Sequence, residues 1–408
     1  MTPVIQFHNE GPMPREVYLD ANATHPILRS VRESMAQLLL SDGGELANPS
    51  SPHAKGREAR KLLNTLKKEF LTFLKRPADE NVVLTSGATE SINMVIRGLV
   101  DSEKTHQRKL VFWTTSVEHA AVLSTLASVD ATIEILKVDS MGQIPALEWQ
   151  RFFSWIEKSS DDLCLSLQVA NNETGIVFDL LPILHQLQKI TLDSNRKRWI
   201  HLDMAQSLGK LSEDYLSQLM DLAQFASFSA HKMGAPSGIG ALWCKQLGCF
   251  KPMITGGGQE EGLRSGTWNA LGAFGFLKAL EDWKIHGEKY RLHLSQLRLL
   301  ALDRLQKLPG FKLHGPLEAA ANLCLPNTLN FSFQNTDTDT LIPSLDMAGF
   351  QVSGTSACSS GASKSSHVIL ALGFSDREAK NSIRMSLGVE SQLQDVEAFC
   401  DFLASKVR

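Results

Sequence analysis

Two residues of opposite charge invite chemistry before anything else in this chain. Asp203 closes the apolar run Trp199-Ile200-His201-Leu202-Asp203, and Lys232 follows Phe228-Ser229-Ala230-His231. Each stands just past a strand-like segment, so in a parallel sheet both can face one pocket at the strand C-termini. A lysine amine can condense with an aldehyde, and a carboxylate opposite can keep a pyridine nitrogen protonated. That is the pair pyridoxal phosphate requires. Neither residue alone carries that meaning.

Other residues gain significance from these two. Thr85-Ser86-Gly87-Ala88-Thr89-Glu90-Ser91 follows a strand and opens a helix, so its backbone N–H groups and hydroxyls can receive an anion. Alone the stretch reads as a helix cap with Glu90 aiding the first turn. With Ser229 and His231 beside Lys232, phosphate binding is the better reading. His119, in Thr115-Ser116-Val117-Glu118-His119, stands at a predicted helix start, where a capping or packing histidine is the commoner case. Beside a cofactor it can stack on a ring and move protons near neutral pH. Gln206 can donate to a cofactor oxygen, or merely begin a helix. Asn171-Asn172-Glu173-Thr174-Gly175 makes either a tight turn or a polar pocket wall. Arg384 interrupts an apolar strand pattern and needs a partner, either a substrate carboxylate or a structural acid.

Cys358 differs from the other cysteines, Cys164, Cys244, Cys249, Cys324 and Cys400, by lying in the small-residue loop Ser353-Gly354-Thr355-Ser356-Ala357-Cys358-Ser359-Ser360-Gly361. A thiol exposed there is a competent nucleophile: with an unperturbed pKa of about 8.5, a few per cent is thiolate at neutral pH. The six cysteines show no CxxC pair, which suggests reduced thiols rather than a disulfide framework. Zinc binding by Cys358 with His367 is a weak alternative, short of four ligands, and no metal is expected.

The elements that must position these groups are legible as alternation. Strand candidates fall at residues 82–85, 110–114, 133–138, 163–169, 199–203, 225–229 and 239–243. They are mostly apolar without a two-residue period, as for strands covered on both faces. Helix candidates at 89–99, 120–129, 147–157 and 180–190 separate them, which predicts a mostly parallel α/β sheet. Beyond Thr255-Gly256-Gly257-Gly258 a long polar helix, about 269–307, leads to a second unit with strands near 327–333 and 382–387. The Ser/Gly-rich residues 353–366 between those strands read as a mobile functional loop. The helix at 57–76 has an apolar face (Ala59, Leu62, Leu63, Leu66, Phe70, Leu74), so its basic residues are a solvated side.

With 408 residues, 43% hydrophobic and 21% charged, the chain can bury a two-domain core. A net charge of -3 and a pI near 6.5 argue against nucleic-acid binding. Residues 1–18 show no secretory or transit pattern, and no apolar run suits a membrane span. A cytoplasmic protein is expected.

Taken in order, the motifs resemble those of cysteine desulfurases of the NifS/IscS-like type, within the class V aminotransferases of PLP fold type I. The resemblance runs from Tyr18-Leu19-Asp20-Ala21-Asn22-Ala23-Thr24 through Asn48-Pro49-Ser50-Ser51-Pro52-His53 and Glu118-His119. It continues through Asp203-Met204-Ala205-Gln206-Ser207, Arg264-Ser265-Gly266-Thr267 and Ser356-Ala357-Cys358 to Ser386-Leu387-Gly388. It implies an α/β PLP-dependent transferase fold. A large domain, 27–285, would carry a mostly parallel seven-stranded sheet. A smaller α+β domain, 286–408, would carry the cysteine loop, and residues 1–26 would pack with it. It also implies roles: Lys232 carrying pyridoxal 5'-phosphate covalently, Asp203 at the pyridine nitrogen and His119 on the ring. Gln206 and Asn172 would contact the phenolic oxygen. Ala88, Thr89, Ser229 and His231 would hold the phosphate, with Thr267 supplied by the partner of a homodimer. Arg384 and Asn172 would hold the carboxylate of L-cysteine, and Cys358 would take its sulfur as a persulfide for an acceptor protein. The same fold also serves selenocysteine lyases, cysteine-sulfinate desulfinases and other aminotransferase-type reactions. The chain departs from the family pattern at Ala230, at Ser353-Gly354-Thr355 and at Ser365, and stops at Arg408, which leaves the acceptor open.

Overall fold

The computed structural model describes residues 16–41, 46–193, 195–315, 323–354 and 365–407. Its centre is a seven-stranded sheet ordered Asn81–Thr85, Gly240–Cys244, Phe225–Ser229, Arg198–Asp203, Asp162–Gln168, Leu110–Thr115 and Thr132–Leu136. Gly240–Cys244 runs antiparallel to both of its neighbours, and the remaining pairs are parallel. The expected strands are all present, within about two residues of the boundaries read from sequence. Thr132–Leu136 differs in character: it is the sheet edge and only Leu136 is buried along it. An edge strand has one neighbour, so both-face coverage fails there.

Helices cover the sheet as the alternation predicts. Ala88–Thr105 outlasts its predicted end because its buried stripe, including Ile92, Val95, Ile96 and Leu99, continues to Ser102 and Glu103. Ala54–Phe73 begins three residues before the predicted start, where the His53 ring accepts the Gly56 amide at 3.2 Å and caps it. Its buried Phe70 packs edge-on against Phe228 (5.0 Å between centroids) and Phe276 (5.8 Å). Phe228 lies in the strand that ends at Ser229, so this aromatic cluster anchors the approach to Lys232. Such pairs contribute about 0.5–1.5 kcal/mol beyond simple burial.

The helix Ala270–Leu305 spans residue 285 without interruption. It packs against Arg29–Leu40 and Ala54–Phe73 at one end and against Leu393–Lys406 at the other. Beyond it lies a four-stranded antiparallel sheet ordered Ser353–Gly354, Ile383–Ser386, Thr328–Phe333 and Phe311–Leu313. Residues 17–28 connect the two sheets. Val17–Tyr18 pairs with Phe350–Gln351, Ala21 donates to the Ser386 carbonyl, and His25 and Leu28 donate to the carbonyls of His231 and Gly234. No helix among the described residues is long and apolar enough to cross a membrane.

One close approach shapes the cavity. A Cβ on Gly240 would stand 2.5 Å from the Phe228 carbonyl oxygen and 2.6 Å from the Gly87 Cα. The turn before Ala88 therefore lies directly on the strand beside Ser229. Gly240→Ala is expected to cost about 1–3 kcal/mol through overpacking. A lowered urea midpoint at unchanged m-value is the measurement, and an unaltered midpoint would show that the turn can move away freely.

Candidate active site

Asp203 and Ser229 end adjacent parallel strands, with Asp203 in register with Ser227. The chain then enters the 3-10 turn Ala230–Met233, which Gly234 closes at φ +87, a conformation that favours glycine. This turn swings Lys232 back over the sheet edge. Both residues line a cavity of about 360 Å³ at the C-terminal ends of the parallel strands. A cleft of about 570 Å³ elsewhere, beside Trp149 and Phe153, contains none of the residues singled out by the sequence.

One end of the cavity is the start of Ala88–Thr105. Its N-cap, Gly87, contributes no side-chain bond, and Ala88 and Thr89 line the opening with Ser229 and His231. A phosphate would meet the exposed N–H groups there and the helix dipole behind them. The bracing that the cap reading expects is present. Glu90 does brace it, accepting the Ser86 amide at 2.6 Å and the Arg264 Nε at 2.8 Å. Burial would raise the Glu90 pKa, but those bonds hold it below the usual carboxylate value. Arg264 belongs to the segment carrying Thr267. Thr267 itself is exposed and does not line the cavity.

At the other end stand His119, Asp203 and Lys232. The His119 Nδ1 accepts the Ala121 amide at 3.0 Å, so the proton of the neutral ring belongs on Nε2. Burial lowers its pKa, with Lys232 and His367 adding to the effect and Asp203 opposing it. His119 is thus both the cap that sequence considered and a cavity-facing imidazole. Asp203 is buried, and burial raises its pKa against the pull of the Ala205 amide, His119 and Lys232. A buried acid of this kind is matched by a cationic ring nitrogen. The Lys232 Nζ donates to the carbonyls of Asn22 (2.6 Å) and Ala23 (2.7 Å).

Asn172 and Arg384, the residues expected to meet a substrate, also line the cavity. Arg384 is 3% exposed, and its Nη2 lies 2.7 Å from an Asp20 carboxylate oxygen. Its Nη1 reaches only a distant bond to the Asn172 carbonyl (3.4 Å), and its buried Nε has no partner among the described residues. The structural acid weighed in the sequence therefore exists and is Asp20, and a guanidinium bordering the cavity could still meet a ligand carboxylate. Taken together, the helix start, the buried acid, the amine and the guanidinium fit pyridoxal phosphate and an amino-acid substrate. Cys358 lies outside the described residues.

Sequence reasoning gave no role to Asn22, Gln168, Asp20 or Glu118. Asn22 and Gln168 line the cavity. Asp20 and Asn22 belong to the Tyr18–Thr24 motif, so that motif was the available signal. Glu118 is completely buried under Asp203 and His119. It accepts the Thr115 hydroxyl at 2.7 Å and the Gln168 amide at 3.1 Å, and its second oxygen has no partner. Burial pushes its pKa from 4.5 to about 8.

Glu118 therefore predicts a pH dependence. Between pH 4.5 and about 8 the folded state keeps a proton that the unfolded state has lost. The stability it gives is complete below the unfolded value and is lost as pH rises through about 8. Glu118→Gln mimics the protonated acid and should flatten this loss, on the order of a few kcal/mol. Urea midpoints of both proteins at pH 5 and pH 8 test this, and parallel pH profiles would contradict it.

Comparison with known proteins agrees with the architecture. The aminotransferase class-V family model matches residues 17–399. A cysteine desulfurase IscS of Dictyoglomus turgidum is 33% identical over 395 residues, covering 96% of this chain and 94% of that protein. The structure of a NifS-like protein superposes with a TM-score of 0.82 at 30% identity, covering 96% of this chain and 99% of that one. A NifS-like protein from Rickettsia africae gives a TM-score of 0.80 at 26% identity, with the same coverage. The match extends through both sheets and the cavity between them, and the chain belongs to the class-V aminotransferase family, in its NifS/IscS-like cysteine desulfurase branch.

Proposed function

We propose that this protein is a pyridoxal-phosphate-dependent cysteine desulfurase, converting L-cysteine to L-alanine and passing the sulfur on through Cys358. The observation that carries the reading is the meeting of Lys232, Asp203 and the start of Ala88–Thr105 in one cavity. Membership of a pyridoxal-phosphate-dependent family supports it. Bound there, the cofactor would supply an electron sink for charge developing at the substrate Cα.

The chain's own groups have distinct tasks. Asp203 would hold a proton on the pyridine nitrogen of the bound cofactor, and burial would strengthen that interaction. Lys232, held by two carbonyls, presents its amine to the cofactor aldehyde and is placed to carry the Cα proton. His119 presents its Nε2 side to the cavity, to stack on the ring and pass protons. Ala88, Thr89, Ser229 and His231 would hold the phosphate, and Gln206 with Asn172 would face the phenolic oxygen. Arg384, at the cavity wall, would receive the substrate carboxylate, while Asp20 keeps the guanidinium oriented. The Cys358 thiolate attacks the cysteine sulfur. A new S–S bond forms as the Cβ–S bond breaks, and Cβ keeps the electron pair and takes a proton. Alanine leaves and a persulfide remains on Cys358, ready for an acceptor protein. The resemblance further suggests a homodimer in which each Thr267 reaches the other subunit's phosphate site. We also place the protein in the cytoplasm.

Purified protein should be yellow, and borohydride should fix the cofactor to the peptide containing Lys232. Protein that stays colourless after incubation with pyridoxal phosphate would end the proposal. Cys358→Ala should retain the colour and lose sulfide release from cysteine. Undiminished desulfuration by that variant would remove Cys358 from the mechanism. Arg384→Ala should raise the KM for cysteine about 10- to 100-fold, the equivalent of about 1.5–3 kcal/mol for a charge-assisted contact. An unchanged KM would assign Arg384 to Asp20 alone.

A further inference from the structure

Behind the cavity wall lies a lysine to which nothing above gives a task. Lys210 is 4% exposed and ends among amides. Its Nζ donates to the Asn22 Oδ1 at 2.9 Å and to the Gln206 Oε1. No ion pair to Lys210 is present among the described residues, although Lys232 and Arg384 lie close enough to oppose its charge. Burying an amine in such surroundings is costly, and an aliphatic side chain would fill the same space without that cost. The polar tip therefore calls for an explanation beyond packing.

The bonds around it supply one. The Gln206 Oε1 faces Lys210, while its Nε2 donates to the Asn22 carbonyl at 3.1 Å. That same carbonyl accepts the Lys232 Nζ. A flipped Gln206 amide would point its donors at the Lys210 amine and leave its oxygen facing the Asn22 carbonyl, losing both bonds. Asn22 is fixed in the same way: its Oδ1 accepts from Lys210 and from Asn327 (3.1 Å), and its Nδ2 donates to Thr328 (2.8 Å) and the Asn172 carbonyl (3.1 Å).

We propose that Lys210 is a positioning residue that locks the Gln206 amide with its N–H group toward the cofactor's phenolic oxygen. The inference rests on the cofactor reading above. Lys210 touches neither substrate nor cofactor and acts through Gln206. In the absence of the lysine, only the Asn22 carbonyl opposes a flip of the amide, so the acceptor orientation, which cannot bind the oxygen, is less strongly excluded.

A double-mutant cycle read by cofactor retention tests this in the loaded full-length protein. Lys210→Met and Gln206→Ala should each weaken retention about 10-fold, and the double variant should be no weaker than Gln206→Ala alone. Both single variants should also shift the pH at which the bound cofactor's absorption changes, while the thermal unfolding of the cofactor-free proteins stays near wild type. Multiplying effects, about 100-fold in the double variant, would make Lys210 an independent structural residue and overturn the proposal. So would a Lys210→Met protein with unchanged retention and spectrum. Should Lys210→Met fail to fold, Lys210→Gln runs the same cycle; it keeps an N–H donor and should recover part of the retention. If the wild-type chain itself takes up no cofactor, the functional reading falls and this inference falls with it. If Gln206→Ala responds and neither Lys210 variant does, the Lys210 inference alone falls.

Discussion

Several charged groups share one buried region, and hydrogen bonds from remote parts of the chain make that tolerable. Asp203, Lys232 and Arg384 line the same cavity, and Lys210 lies buried behind its wall against Asn22. Charges so placed are costly unless each finds partners. Asn22 supplies much of what they need. Its carbonyl accepts from Lys232 and Gln206, its side-chain oxygen accepts from Lys210, and its amide group reaches Asn172 and Thr328. One asparagine therefore ties the lysine turn, the strand ends and the small sheet into a single network.

The same constraint explains why the N-terminal segment follows its course. Residues 17–28 are held at one end by pairing with Phe350–Gln351 and by bonds to Ser386. At the other end they are held by the carbonyls of His231 and Gly234. Asp20 meets Arg384 from this segment and also accepts the Ser353 hydroxyl at 2.6 Å. Arg384 is thereby oriented by an acid from the opposite end of the chain. Breaking one member of such a buried pair leaves the other uncompensated, so both are retained together.

The dual nature of several residues follows from economy of position. His119 caps a helix with one ring nitrogen and faces the cavity with the other edge. Glu90 braces the turn that would hold phosphate while pairing with Arg264. The structural and functional readings of a motif are therefore compatible, because the groups that hold a strand end in place also border the ligand site that opens there.

Local chemistry made much of this readable in the sequence. Apolar runs without a two-residue period specified covered strands, glycine and hydroxyl residues marked the turn before Ala88, and the order of motifs identified the family. Asp203, Lys232, Ser229 and His231 were legible because they sit at strand ends, where a parallel sheet must place its ligands. The antiparallel course of Gly240–Cys244, the edge exposure of Thr132–Leu136, the Asp20–Arg384 pair and the Asn22–Lys210–Gln206 network were not. These depend on contacts between segments far apart in the chain, and periodicity reports only the neighbourhood of each residue. Sequence alone determined which groups could react and at which strand ends they stand. Tertiary structure decided which of them share a buried volume, and it is there that burial and hydrogen bonding set charge and orientation.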